Sequence, residues 1–175
     1  MALKISATAI SKRHFSSLFV ASDGKASWLD IFIFGAIPIL IGTALAHDLD
    51  SISDAAISGA IAVFSIFGAL LLSVQIALFG ISQREILDGG EGKKTASVKE
   101  RKSGNRAKLI KELNVNISFL IMFSVISLVA FLSFGTLMFP ETIEIFYYGH
   151  SVSFFALNMM MAVKRAFVLF DEEYS

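Results

Sequence analysis

The feature that most constrains the fold is a run of 29 residues, 55–83, without one charged side chain. As an α-helix this run would be about 43 Å long, which exceeds the ~30 Å hydrocarbon core of a bilayer. A helix of a soluble core is rarely so long and so uniformly uncharged. The run therefore predicts a helix that crosses a membrane, and we expect Ser53 or Asp54 to cap its first turn.

Small residues follow one face of this predicted helix. At about 100° per residue, six of them fall close to a single line: Gly59, Ala62, Ala69, Ser73, Ala77 and Gly80. Small side chains let another helix approach closely in lipid. We expect the stripe to be a packing face, with the large apolar residues turned outward. Whether the packing is within one chain or between chains stays open, and a pore wall is the less favoured reading.

The composition supports a membrane protein. The chain of 175 residues is 55% hydrophobic and 17% charged, whereas soluble domains are about 25% charged. Cysteine is absent, and the three histidines are far apart along the chain. We therefore expect no disulfide, no metal site, no cofactor and no cysteine nucleophile.

Three further long apolar stretches also predict spans, so the predicted fold class is an all-α, integral membrane four-helix bundle. The first, 28–46, contains Pro38, which removes a backbone hydrogen bond and predicts a kink. The predicted division of the chain is an amino-terminal segment 1–27, a transmembrane hairpin 28–83, a basic loop 84–112, a second hairpin 113–163 and a tail 164–175. Within the second hairpin, the third span is expected to end at Pro140.

The amino-terminal segment is polar and basic. Ile10, Phe15 and Leu18 beside Lys12 and Arg13 favour a short helix at the membrane surface. A disordered tail is an equal alternative, and a mitochondrial transit peptide is a minor one.

The 84–112 insert holds nine Lys/Arg and five Asp/Glu. Glycines at 89–92 and the sequence Ser-Gly-Asn at 103–105 predict two breaks in helical structure. Its basic residues are candidates for contact with a partner protein or anionic lipid: Lys93, Lys94, Arg101, Lys102 and Arg106. The insert lacks aromatic residues on which bases stack, so we expect no direct nucleic-acid binding.

The distribution of positive charge predicts the orientation. If the amino terminus is cytoplasmic, all 15 Lys/Arg lie on the cytoplasmic side, and both outer turns are short and acidic. This agrees with the positive-inside rule. We therefore expect a multi-pass protein of the bacterial inner membrane with both termini in the cytoplasm.

Two polar residues mark the fourth predicted span, 145–163. Ser151 and Asn158 are seven residues apart and close to one face. Exposure of an amide to hydrocarbon is costly, so Asn158 should face protein or water. A hydrogen bond between helices is the favoured interpretation. A water-filled path lined by Ser73, Ser151 and Asn158 is the alternative.

Catalytic chemistry is not indicated. No Asp, Glu, Lys or Arg lies deep in a predicted span, which disfavours ion-coupled transport. No motif places a serine beside a histidine, and the glycines at 89–92 do not form a phosphate-binding loop. We expect the protein not to be an enzyme.

The layout resembles small four-span membrane proteins of bacterial phage-defence operons, among them the membrane subunit of the Kiwa system and the membrane component of the Rex system. The likeness covers residues 28–175 and consists of four features: Pro38 in the first span, the small-rich second span after Asp54, the basic loop and the charged tail from Lys164 to Glu173. It implies a membrane component that works with a cytoplasmic partner. The small size of the chain favours an oligomer, so we expect an oligomeric subunit that recruits its partner through the basic loop and the tails, and a monomeric structural protein is the weaker interpretation. The alternative that the likeness implies is an ion-conducting pore that depolarises the membrane when triggered.

Overall fold

The computed structural model describes residues 7–19, 28–88, 96–134, 136–137 and 139–174. All regular secondary structure in these residues is helical, which confirms the predicted all-α class. The helices are α1 (Ala7–Phe19), α2 (Trp28–Ile31), α3 (Ile37–Asp48), α4 (Asp54–Asp88), α5 (Ala96–Phe134) and α6 (Glu141–Tyr174), and a π-helical turn (Phe32–Ala36) joins α2 to α3.

Three helical segments are long and apolar enough to cross a membrane: Trp28–Asp48, Asp54–Gly80 and Ile110–Phe134. Their outer surfaces carry many large apolar side chains, such as Leu70 on α4 and Val129 on α5. Contiguous apolar surface of this kind is unfavourable in water and favourable in lipid. The structure is thus consistent with a multi-pass membrane protein.

The fourth predicted span lies within α6, which is not one of these three segments. At about 1.5 Å per residue, a helix of 34 residues is long enough to cross a bilayer. Polar side chains such as His150 and Asn158 make it less apolar than the three segments above. Asn158 is buried against other helices rather than exposed at the surface.

The long helices lie in a row in the order α3, α6, α5, α4. α3 packs on α6, α6 on α5, and α5 on α4, and α4 also makes a smaller contact with α6. Among the described residues, the consecutive helices α3 and α4 do not pack on each other. The helices therefore form an open arrangement, with α4 at one edge. α1 packs across α5 and touches α2.

The apolar core is built around the side of α4 that carries large residues. Phe64 is 1% exposed and contacts the rings of Phe131 and Phe155 on α5 and α6. Leu71 lies two turns further along α4 and is also buried. The expectation that the large residues of this helix turn outward is therefore wrong for Phe64 and Leu71, which supply apolar area that the neighbouring helices cover, whereas Leu70 and Ile76 are exposed.

The hydrophilic insert is more helical than its glycines indicate. α4 continues to Asp88 and α5 already begins at Ala96. The second predicted break, at 103–105, is wrong, because α5 is continuous through these residues. The first predicted break, at 89–92, and the residues Lys93 and Lys94 lie outside the described residues.

The helix ends follow local hydrogen bonding. The Ser53 hydroxyl accepts a hydrogen bond from the Ala56 amide at 3.3 Å, which confirms Ser53 as the cap of α4. α5 ends at Phe134 rather than at Pro140, where the third span was predicted to end.

The π turn lies directly ahead of Pro38. The Ile37 amide donates to the Phe32 carbonyl, five residues back. Pro38 has no amide hydrogen, and its ring crowds the carbonyl four residues earlier. A wider turn at this point relieves the crowding while the backbone stays helical, and Pro38 itself is buried.

Candidate functional site

A buried histidine fastens the amino-terminal helix to the membrane domain. His14 is only 1% exposed, although Lys12 and Arg13 beside it are exposed. In the sequence, Ile10, His14 and Leu18 recur every four residues, a spacing that predicts one shared helical face. This spacing is the sequence signal that identifies His14 as an inward-facing residue.

Both ring nitrogens of His14 meet asparagine side chains from different helices. Nδ1 lies 3.0 Å from Oδ1 of Asn116 on α5, and Nε2 lies 3.1 Å from Oδ1 of Asn158 on α6. The Asn158 amide nitrogen donates to the Phe154 carbonyl at 2.8 Å, which leaves its oxygen to accept from His14 Nε2–H. We call His14, Asn116 and Asn158 the polar junction.

The orientation of the Asn158 amide determines whether Nδ1 of His14 accepts or donates a hydrogen bond. In a neutral imidazole whose Nε2 carries the proton, Nδ1 is an acceptor. A half-turn of the Asn116 amide would then present an N–H group to Nδ1, because the oxygen and nitrogen of such an amide occupy equivalent positions. In an imidazolium, Nδ1–H would donate to the oxygen of Asn116 instead.

Aromatic packing encloses the same imidazole. The His14 ring stacks on Phe119 of α5 with ring centroids 3.7 Å apart and planes 9° apart. Phe15 meets Phe119 edge-on at 5.6 Å. The ring therefore has apolar neighbours on its face and polar partners only at its two nitrogens.

Burial disfavours the charged form of this histidine. The pKa of His14 is lowered from 6.5 to about 4, chiefly by loss of hydration and to a smaller extent by the positive charge of Arg165, while the hydrogen bonds to Asn116 and Asn158 act in the opposite direction. At neutral pH, His14 is thus uncharged, and α1 is docked without burying an ion.

A charged group lies next to the polar junction. Arg165 of α6 is 3.8 Å from the Glu112 carboxylate of α5, with 14% and 33% of the two side chains exposed. Burial lowers the pKa of the Arg165 guanidinium, and the negative charges of Glu112 and of Asp30 on α2 oppose this effect. Residues of α2, α5 and α6 therefore neutralise one another at the end of the domain where α1 docks.

The backbones of α3 and α6 approach each other closely where the two helices cross. A Cβ atom built on Gly42 would lie 2.7 Å from the Phe146 carbonyl oxygen, and one built on Gly149 would lie 2.7 Å from the Leu45 side chain. The two glycines also face each other, since a Cβ atom on Gly149 would be 3.1 Å from the Gly42 Cα. At Gly42 the obstacle is backbone, so a side chain there would force the helices apart, whereas at Gly149 the Leu45 side chain can move and the tight approach is to the Gly42 Cα.

The predicted packing stripe of α4 has a different environment. Its members all lie on the exposed face of the helix: Gly59, Ala62, Ala69, Ser73, Ala77 and Gly80. No atom lies within 4 Å of a Cβ built on Gly59 or Gly80. Within the described part of the chain, no helix covers this face, which we call the outer face of α4.

The three residues predicted to line a path are not on one wall. Ser73 lies on the outer face of α4 and donates to the Ala69 carbonyl at 3.1 Å. Ser151 and Asn158 are fully buried in α6, where Ser151 donates to the Tyr148 carbonyl at 3.3 Å. Asn158 makes the expected hydrogen bond to another helix, but its partner, His14, was not predicted.

The candidate contact residues of the insert are only partly placed. Arg101, Lys102 and Arg106 lie in the helical backbone at the start of α5. Lys93 and Lys94 are outside the described residues. No group of three or more His, Cys, Asp or Glu side chains that could hold a metal ion occurs in the described ranges.

Comparison with known proteins adds no relative: no protein family, curated protein or solved structure matches the chain.

Proposed function

We propose that the protein is a homo-oligomeric subunit of the bacterial inner membrane that recruits a cytoplasmic protein. The observation that carries this proposal is the outer face of α4, where small residues lie exposed over the length of an apolar edge helix. In lipid, large apolar side chains gain little from association, whereas a small-residue face permits close helix packing. A second copy of the chain is the proposed partner that packs against this face.

The topology in this proposal has four spans, with α6 as the fourth and both termini in the cytoplasm. It rests on the placement of all 15 Lys/Arg on one side of the predicted spans. A polar helix such as α6 is tolerated in the membrane when its polar groups face other helices, and Ser151 and Asn158 are buried in this way.

The proposed recruiting surface is the helical hairpin that extends beyond the apolar spans. The apolar span of α5 begins at Ile110, whereas the helix begins at Ala96. The intervening 14 residues extend for about 21 Å. Residues 96–112 include six Lys/Arg against two Glu, so a partner with an acidic surface fits this extension.

The oligomer is tested by cross-linking in membranes. The chain contains no cysteine, so a single introduced cysteine reports contacts without background. We expect Ala69→Cys on the outer face of α4 to form disulfide-linked dimers. Val129→Cys, on the exposed surface of α5, is the matched control and should stay monomeric. Equal cross-linking at both positions, or none at Ala69→Cys, would reject assembly through α4.

Recruitment is tested separately by neutralising the start of α5. We expect the triple substitution Arg101→Gln, Lys102→Gln and Arg106→Gln to abolish co-purification of a cytoplasmic protein from the native host. Lys164→Gln, an exposed charge on α6, is the control. Unchanged co-purification with the triple variant, while the protein remains in the membrane, would reject this surface.

The setting of phage defence rests on the resemblance in layout and remains a prediction. The depolarising pore also remains a prediction, with less support, because Ser73 is separated from the buried Ser151 and Asn158.

A further inference from the structure

An apolar cavity of about 370 Å³ opens between α1, the π turn, α3, α5 and α6. Its volume is in the range of small-molecule sites, ~300–1,000 Å³. Five of the eight residues that line it are phenylalanines, and the other three are Gly35, Ile39 and His150. The cavity therefore suits a hydrocarbon chain far better than water or a polar ligand.

The position of the cavity indicates where such a chain comes from. Gly35 and Ile39 belong to the first apolar span, and Phe119 and Phe123 to the span that begins at Ile110. The cavity thus lies at membrane depth. It lies at the same end of the domain as α1, whose Phe15 forms part of the wall.

A positive charge stands beside the cavity wall. Lys12 is exposed and precedes Phe15 by three residues, so the two side chains are neighbours on α1. His14 lies on the other side of Phe15 and holds α1 in place through the polar junction. Arg13 projects from a different side of α1, about 160° from Phe15.

We propose that this cavity binds one acyl chain of an anionic phospholipid whose phosphate contacts Lys12. The chain fills the phenylalanine-lined space while the headgroup remains at the membrane surface, where α1 places the ammonium group. This site is independent of the outer face of α4 and does not rest on the function proposed above.

Native mass spectrometry of the full chain in mild detergent tests the proposal with three probes: dioleoyl phosphatidylglycerol, dioleoyl phosphatidylcholine and oleate. We expect phosphatidylglycerol to bind about fivefold more tightly than phosphatidylcholine, as one lysine near a headgroup implies. Lys12→Gln should remove this preference, and Arg13→Gln should retain it. Equal affinity for the two phospholipids, or tighter binding of oleate, would overturn the proposal.

A cavity-filling variant tests the location. No atom lies within 4 Å of a Cβ built on Gly35, so Gly35→Leu places its side chain in the cavity without a clash at Cβ. We expect at least about tenfold weaker binding of phosphatidylglycerol, as displacement of two methylene groups implies. Unchanged binding would place the lipid elsewhere and overturn the proposal.

A fluorescence measurement covers the case in which Gly35→Leu does not fold. The chain has one tryptophan, so Trp28→Phe combined with Phe154→Trp puts a single reporter in the cavity wall. Phosphatidylglycerol with a brominated acyl chain should quench this tryptophan more strongly than the phosphatidylcholine of the same chain. Equal quenching by the two lipids contradicts the site.

Discussion

α6 and α4 are both long helices of the membrane domain, but they are held by opposite means. α6 is central, and specific contacts fix it: the glycine crossing with α3, the hydrogen bond of Asn158 to His14 and the ion pair of Arg165 with Glu112. α4 is at the edge, and it is held mainly by a strip of large apolar residues around Phe64. The small residues of its outer face point away from the chain, whereas Ala60 and Gly68 lie on the side that packs against other helices.

The difference shows that small and polar residues in a long helix can serve different purposes. In α6 they allow close approach and hydrogen bonding inside one chain. In α4 similar residues lie on the outer face, which we propose to contact another chain. Substitutions that remove the contacts of α6 should therefore reduce the stability of the single chain, whereas those on the outer face of α4 should change only assembly.

The largest expected effect is the loss of α1 docking in acid. The pKa of His14 is about 4 in the folded protein and 6.5 when the ring is exposed, so the undocked state binds more protons between these values. Docking is fully stable above pH 6.5 and weakens as the pH falls toward 4, by about 3 kcal/mol in total. Proteolysis of α1 as a function of pH measures this change.

His14→Gln is the control for this titration, because it removes the titrating ring and keeps a polar side chain. Its proteolysis should show no additional transition between pH 6.5 and 4. Arg165, Glu112 and Asp30 are the charged groups beside the site, and they are the same in both proteins. If wild type and variant lose α1 protection in parallel, the histidine is not the titrating group.

The next effect is expected at the crossing of α3 and α6. Gly42→Ala adds a methyl group at 2.7 Å from the Phe146 carbonyl, and overpacking of this kind costs about 2 kcal/mol. We expect Tm to fall by about 4–8 °C. Gly35→Ala, in the same span but with open space around it, should leave Tm almost unchanged. A similar decrease in both variants would show that lost helix flexibility, not the crossing, is responsible.

A smaller effect is expected at the outer face of α4. Gly59→Leu has room in the single chain and should leave Tm unchanged in monomer-selecting detergent. It should weaken dimerisation about tenfold by keeping two helices apart, as measured by energy transfer between labelled chains in vesicles. Undiminished dimerisation would place the contact between chains on another surface.

The smallest effect is expected at the one described side-chain hydrogen bond between α4 and α5. The Gln75 amide donates to the Ser118 hydroxyl at 2.7 Å, and such bonds in membranes contribute about 0.6 kcal/mol. Gln75→Leu should therefore lower stability only slightly. Ser73→Ala, which removes a bond within α4 alone, is the comparison and should have even less effect.

Three of the four predicted spans correspond to apolar helical segments of the structure, and they were predictable because hydropathy depends on each residue alone. The uncharged run from Ala55, the cap at Ser53 and the back-bonding of Ser118, Ser124 and Ser133 to carbonyls four residues earlier all follow from local sequence. The helical insert was harder to predict, because Gly104 disfavours a helix but its cost of about 1 kcal/mol is small for a helix of 39 residues.

The polar junction was not predictable in the same way. His14 bonds to residues 102 and 144 positions away, and no local pattern encodes such distances. The spacing of apolar residues around His14 could have identified it as inward-facing, but not its partners. The meeting of Gly42 with Gly149 likewise depends on how α3 and α6 are aligned, which spacing within either helix does not determine.

The π turn lets the two ends of the first span face in different directions around the helix axis. It accommodates one residue more than an α-helical turn. α2 is therefore rotated about the helix axis, compared with its position if α3 continued as a regular α-helix. Deleting one residue from Phe32–Ala36 would restore a regular helix and rotate α2 by about 100°. Gly42 would still meet α6, but Asp30 would turn away from Arg165. The extra residue thus lets Asp30 face Arg165 at one end of the span while Gly42 meets α6 at the other.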